Sequence, residues 1–155
     1  MLDVSDKTIA VGCDHAAFEL KGVLLSYLRE RGLEPVDFGC YDTQSVHYPD
    51  IGARVAKAIS FGELPRGILL CGTGVGMSIT ANKFPRIRAA LCHNEFTAQA
   101  SREHNDANIL VMGARVLTDE QALKITALWL DTHFTEGRHA ERVAKISELE
   151  DNLQR

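Results

Sequence analysis

Five short apolar runs punctuate the chain: Thr8 to Gly12, Pro35 to Phe38, Gly67 to Leu70, Arg88 to Leu91 and Ile109 to Met112. Ile68-Leu69-Leu70 and Ile109-Leu110-Val111-Met112 are continuous rather than alternating, the pattern of strands covered on both faces. Between the runs the apolar positions change to helical spacing. Leu20, Leu24, Tyr27 and Leu28 mark a crossover helix that Gly32 stops after Arg31. Further helices are predicted from about Asp50 to Ser60 and from about Val75 to Phe84, where Pro85 disfavours continuation. Asn94 caps a helix through Ser101, with Glu95 in its first turn. Thr118-Asp119-Glu120-Gln121 reads as a capping box for a helix carrying Leu123, Ala127 and Leu130 on one face. After Thr135-Glu136-Gly137 the pattern restarts. Arg138 to Leu153 forms a last helix striped by Val143, Ile146, Leu149 and Leu153, to be packed on its own sheet or on a second subunit. The alternation of strand and helix predicts βαβ units: an α/β fold with a five-stranded parallel sheet and an extra C-terminal helix. No repeat, low-complexity tract or linker divides the chain, so residues 1–155 are expected to form a single domain.

Composition narrows the function classes. With 155 residues, 45% of them hydrophobic, the chain can bury a core without disulfide or metal staples. Seventeen basic against twenty-one acidic residues give a formal charge of −4. That balance argues against a general nucleic-acid or membrane-surface binder and leaves room for one small cationic site. Cys13, Cys40, Cys71 and Cys92 lie far apart, form no Cys-x-x-Cys pair and follow no secretory leader, so they are expected as reduced thiols in a cytoplasmic protein. No run approaches the ~18 apolar residues of a membrane span.

In an open parallel sheet, ligands gather at the carboxyl ends of the strands. There the chain places Gly12-Cys13-Asp14-His15, Cys71-Gly72-Thr73-Gly74-Val75-Gly76 and Gly113-Ala114-Arg115. The glycine-rich segment joins a buried strand to a helix N-terminus, where free N–H groups hold a phosphate or an enolate, unless the glycines only make a tight turn. It is neither a Walker A loop nor a dinucleotide fingerprint. Cys71, just before that loop, is a candidate base or nucleophile because a helix N-terminus favours thiolate. The alternative is a small buried hydrophobe, the reading given to Cys40 and Cys92, with Cys13 open to either. His104-Asn105 falls in a loop, where a histidine serves as an acid near neutral pH or merely caps a helix. His93, His133 and His139 are assigned no role, and no histidine pair has metal-ligand spacing, so no metal is expected. Arg138 and Arg142, four apart, share a helix face and could grip one phosphate with Arg115 and His15, or be solvated beside Glu141 and Lys145.

Taken together, Gly12-Cys13-Asp14-His15-Ala16, Tyr48-Pro49, Gly67 through Ser78, Ala81-Asn82-Lys83, Arg102 through Asn108 and Gly137-Arg138-His139 resemble the type B ribose-5-phosphate isomerases and their relatives acting on allose and galactose 6-phosphates. The resemblance runs from about Ile9 to Ile146. It implies a three-layer α/β/α Rossmann-like fold, a homodimer or dimer of dimers with active sites at the subunit interface, a small sugar-phosphate substrate, and no metal or nucleotide cofactor. It also implies roles. Cys71 moves a proton between C1 and C2 of the opened sugar, and His104 assists ring opening. The amides of Gly72, Thr73, Gly74, Val75 and Gly76, with the Thr73 and Asn82 side chains, stabilise the enediolate. His15, Arg115, Arg138 and Arg142 hold the phosphate, while Asp14, Tyr48 and Asn105 orient sugar hydroxyls.

One branch of that family carries Ser in place of the cysteine and a Glu base just after the loop; Cys71 and Met77 place this chain with the cysteine branch. His47 stands where many relatives have an acidic residue and is expected to line the entrance. Residues 148–155 are assigned no function. The expected reaction is interconversion of D-ribose 5-phosphate and D-ribulose 5-phosphate through a cis-enediolate. The alternatives are the same chemistry on allose 6-phosphate, galactose 6-phosphate or a tetrose phosphate, and a non-catalytic sugar-phosphate sensor on the same fold.

Overall fold

A computed structural model describes residues 4–153. A short helix, α1 (Val4–Lys7), leads into β1 (Thr8–Cys13), a 3-10 turn (His15–Ala17), α2 (Phe18–Glu30), β2 (Glu34–Asp37), α3 (Tyr48–Ser60) and β3 (Gly67–Cys71). Then come α4 (Val75–Ala81), β4 (Ala89–Leu91), α5 (Glu95–Glu103), β5 (Ile109–Gly113), α6 (Asp119–Asp131) and α7 (Arg138–Leu153). The strands pair in parallel in the order β2-β1-β3-β5-β4. Helices α3 and α4 pack together on one face of the sheet, and α2, α5 and α6 on the other. This is the expected three-layer α/β/α arrangement.

Burial explains why the runs form strands. Every residue of β3 and β5 is buried, and each fully covered Leu or Ile there contributes about 1.5–3 kcal/mol relative to exposure. The edges are weaker: β2 alternates exposed and half-buried positions, and β4 has only three residues, all half-buried. The register fixes the two ends of the sheet. Gly67 lies opposite Ile109, which lies opposite Ala89, at the amino end; Cys71 lies opposite Gly113 at the carboxyl end.

Local signals set the helix limits. Asn94 Oδ1 accepts the Thr97 N–H at 2.8 Å, and Thr118 and Gln121 exchange both bonds of a capping box. Helix α4 stops at Ala81, short of the predicted Phe84, because Asn82 turns its side chain across to β4. Its amide nitrogen donates to the carbonyls of Ser78 (3.0 Å) and Ala89 (2.9 Å), and its oxygen accepts the Ala89 N–H at 2.9 Å. The last helix, α7, has its predicted limits, but it does not pack on its own sheet. His139 is its one buried residue, while Ile146, Leu149 and Leu153 are 49%, 64% and 86% exposed. Among the described residues no helix is long and apolar enough to cross a membrane.

Candidate active site

The sheet changes direction between β1 and β3, and the crevice at their carboxyl ends holds the first group of expected residues. Cys71, 4% exposed, closes β3, and the Gly74 N–H donates to its Sγ at 3.1 Å. The loop achieves this through Gly74, whose φ of +79° is left-handed and whose missing side chain lets Leu91 and the Met112 backbone close in. A Cβ there would lie 2.5 Å from Leu91 Cδ1. Thr73 is exposed at the tip, where its Oγ1 accepts the Val75 N–H at 3.3 Å. The following amides of the first turn of α4 have no intrahelical acceptor, so the mouth is lined with donors.

Neighbouring elements fill in the same mouth. The Ala114 and Arg115 amides, just beyond β5, donate to the Cys71 and Gly72 carbonyls at 2.9 Å each, which lays the Arg115 guanidinium over Gly72. Tyr48 opens α3 with its ring against Gly76, and the exposed His47 precedes it. Asp14, buried after β1, accepts the Ala16 N–H on Oδ1 at 3.0 Å. His15 accepts the Val46 N–H on Nδ1 at 3.2 Å. That bond fixes the tautomer of the uncharged ring with its proton on Nε2, a donor suited to an anion. Cys13 proves separate from this chemistry: its Sγ sits 3.9 Å from that of Cys40, and burial pushes the thiol well above its ordinary range.

A second group lies at the other end of the sheet. Because α5 runs back from the carboxyl end of β4, His104 and Asn105 emerge at the amino end of β5. The His104 ring stacks on His139 with centroids 4.3 Å apart and planes 14° from parallel. A bond from the Thr135 N–H to the Glu103 carbonyl, 3.0 Å, ties the start of α7 to this corner. Arg138 and Arg142 are exposed there. Burial first, then His104, Arg138 and Arg142, holds His139 below the usual histidine range, with Glu103 opposing. Asp106, at a left-handed φ of +47°, shapes the turn. Arg88 grips it through the Asn105 carbonyl (3.0 Å) and the Asp106 carbonyl (2.8 Å), and Arg102 through Asp106 Oδ1 (2.8 Å).

The expected residues therefore form two half-sites. Cys71, the loop Gly72 to Gly76, Asp14, His15, Tyr48 and Arg115 meet at the carboxyl ends; His104, Asn105, Arg138 and Arg142 meet at the amino ends. The proposed grip of His15 and Arg115 with Arg138 and Arg142 is thus divided within one chain. Asn82 joins neither group, since its side chain is committed to the backbone at the amino end of β4; it closes α4 and does not reach the loop. His139 is a residue that spacing missed: its stacking on His104 depends on how α5 and α7 are placed, which no local pattern encodes. Arg88 was likewise given no role, because its work is to hold a turn many residues later. Among the described residues no group of three or more His, Cys, Asp or Glu could hold a metal.

The comparisons agree on one family. The profile of the Ribose/Galactose Isomerase family matches residues 9–146. Ribose-5-phosphate isomerase B of Escherichia coli is 46% identical over 144 residues, spanning 93% of this chain and 97% of that one. D-erythrulose-4-phosphate isomerase of Pectobacterium atrosepticum is 45% identical over 145 residues, spanning 92% of this chain and 95% of that one. The solved structure of Clostridium thermocellum ribose-5-phosphate isomerase B is similar with a TM-score of 0.92 at 51% identity, covering 94% of this chain and 99% of that one.

Proposed function

The chain belongs to the ribose/galactose isomerase family, and from that premise we propose that it interconverts D-ribose 5-phosphate and D-ribulose 5-phosphate through a cis-enediolate. At the coarser level it is a sugar-phosphate isomerase, an intramolecular oxidoreductase. The observation that carries the finer reading is the placement of Cys71, a thiol at the end of a buried strand with the Gly74 N–H 3.1 Å from its sulfur.

In this reading His104 transfers protons between the C1 hydroxyl and the ring oxygen, opening the furanose to the aldehyde. The Cys71 thiolate then takes the proton from C2, and the electron pair left behind forms the C1–C2 double bond as charge moves onto O1. The amides of the glycine loop stabilise that charge, each worth about 3 kcal/mol in a preorganised site. Loss of the O2 hydroxyl proton makes the new carbonyl, O1 is protonated, and the Cys71 thiol returns its proton to C1. Asp14, Tyr48 and Asn105 orient hydroxyls. His15, Arg115, Arg138 and Arg142 hold the phosphate, whose binding energy positions the reacting carbons.

This allocation requires two copies of the chain, and we place the active site at their interface. Two observations support the homodimer: the half-sites lie at opposite ends of one sheet, and α7 leaves its apolar stripe uncovered. A two-fold axis lets each copy lend its His104 end to the other's Cys71 mouth. The proposed location is cytoplasmic, in keeping with four free cysteines.

Proton NMR in D2O tests the reading, with ribose 5-phosphate, then allose, galactose and erythrose phosphates, beside Cys71→Ala. Ketose formation with deuterium entering at the reacting carbon, lost in the variant, is the expected result; retained turnover in Cys71→Ala removes the thiol from the mechanism. Faster turnover of the tetrose phosphate would favour the second reading, which the similarity to D-erythrulose-4-phosphate isomerase supports. Saturable binding without turnover of any sugar would leave a sensor.

A further inference from the structure

At the amino ends of the strands, away from Cys71, the surface opens into a cavity of about 630 Å³. Arg31, Arg66, Arg88 and Arg102 line it, against the carboxylates of Asp6, Asp106 and Asp131. The lining is thus net cationic in a chain whose formal charge is −4. The acidic groups are unevenly used. Arg31 pairs with Asp131, while Asp106 is shared between Arg102 at 2.8 Å and Arg88 at 3.5 Å. Arg66 makes no ion pair among the described residues; its Nη2 donates to the Asp6 carbonyl at 3.0 Å. Burial, then the nearness of Arg102 and Arg31, pushes Arg66 below the ordinary arginine range, with the carboxylates of Asp6 and Asp131 opposing. That is the direction expected of a guanidinium withdrawn from water beside two others.

An independent observation lies in the same wall. Trp129 is 1% exposed, and its indole N–H finds no acceptor among the described residues. The Arg102 guanidinium lies 5.5 Å from the centre of its ring. A buried N–H without a partner is uncommon, and this one lies in the ring beneath the Arg102 guanidinium, in the wall of the cavity.

We propose that this cavity is an anion-binding site, separate from the catalytic mouth, whose ligand is a phosphate-bearing small molecule. The guanidinium fork matches phosphate oxygens in pairs, which a point charge does not. Leu33, Pro65 and Leu130 in the lining supply apolar surface for the ligand's body, and the volume exceeds that of a bare phosphate. The bound dianion sets its charge beside Arg66, which makes no ion pair among the described residues. Arg88 and Arg102, which hold the His104–Asn105 turn, belong to the same wall, so occupancy bears on that turn. The site itself stands on the cavity and not on the proposed reaction.

Trp129 is the chain's one tryptophan, so intrinsic fluorescence of the full chain reads this cavity directly. Inorganic phosphate and pyrophosphate are titrated at constant ionic strength, with chloride as control. A saturable change in emission is expected with at least one of the two phosphates and none with chloride. The midpoint should weaken at least ~10-fold in Arg66→Gln, and also weaken in Arg31→Gln, the variant that decides if Arg66→Gln fails to fold. Arg138→Gln, at the proposed substrate phosphate, should leave the midpoint in place. No saturable change with either anion, a midpoint unmoved in the folded cavity variants, or one displaced by Arg138→Gln overturns the site. None of these readouts needs turnover, so its failure is distinct from failure of the isomerase reading.

Discussion

Two inactive variants of this chain should restore each other. Cys71 and Gly67 bound the length of β3, and the turn carrying His104 lies beyond the Gly67 end. Four strand steps at ~3.3 Å put about 13 Å of sheet between the two half-sites before the turn is added. In a pentose 5-phosphate, C1 and phosphorus are six bonds apart, under ~9 Å even if straight. The reacting carbon and the phosphorus are thus closer together than the ends of the strand that separates the half-sites of one chain. Cys71→Ala alone and His104→Ala alone should each lower turnover by about 10²–10⁴-fold. Mixed in equal amounts and allowed to exchange subunits, about half of the dimers become hybrid, each with one doubly defective site and one intact site. Activity should then rise to about a quarter of the unmutated protein's. The assay is ketose formation before and after exchange through mild denaturant, with hybrids counted by mass spectrometry of differently tagged copies. Hybrids that form yet stay inactive would refute the divided site.

Three further outcomes follow from particular contacts. Gly74→Ala should cost about 1–2 kcal/mol for its left-handed φ alone, and more from the approach to Leu91; a calorimetric melt should show the loss, and turnover should fall over ~10-fold as the N–H moves off Cys71. Asn82→Ala should lose about 1–3 kcal/mol from its bonds to the backbone of α4 and β4, while kcat/KM of the folded variant stays within about threefold; a larger fall would return Asn82 to the substrate site. His139 is held below its ordinary value of 6.5, so the unfolded chain takes up a proton more readily than the native one. Its contribution is therefore complete above that value and is lost as the pH falls below it. Melts at pH 8 and pH 5 should show the wild type losing ground to His139→Gln at the lower pH, and an unchanged difference would discard the assignment.

The strands were legible because burial on both faces leaves continuous apolar runs, and Ile68 to Leu70 and Ile109 to Met112 have no other home in a chain this size. Caps were legible because they are local: Asn94 needs only the Thr97 amide, and Thr118 only Gln121. Strand order was not, since nothing in the run at Ile109 says that it enters between Gly67–Cys71 and Ala89–Leu91. That placement decides which ends of the sheet His104 and Cys71 occupy. The resemblance implied a subunit interface; the topology is the observation on which the proposed one rests. Asn82 shows the limit of reading along the chain, since its bonds to the Ser78 and Ala89 backbone appear only in the fold. A polar residue near a glycine loop in sequence lies a whole helix away from it in space.

The insertion of β5 has a consequence for how the chain is made. The residues of β3 and β4 leave the ribosome before β5, yet neither pairs with the other; each needs Ile109–Gly113 as its neighbour. Until that segment emerges, β3 offers an open apolar edge to any other nascent strand, the kind of edge from which aggregation starts. The five-stranded sheet is complete only once Ile109–Gly113 has joined it. Folding of this sheet is thereby timed by β5, and shortages of chaperone should be felt most between the emergence of β3 and the emergence of β5.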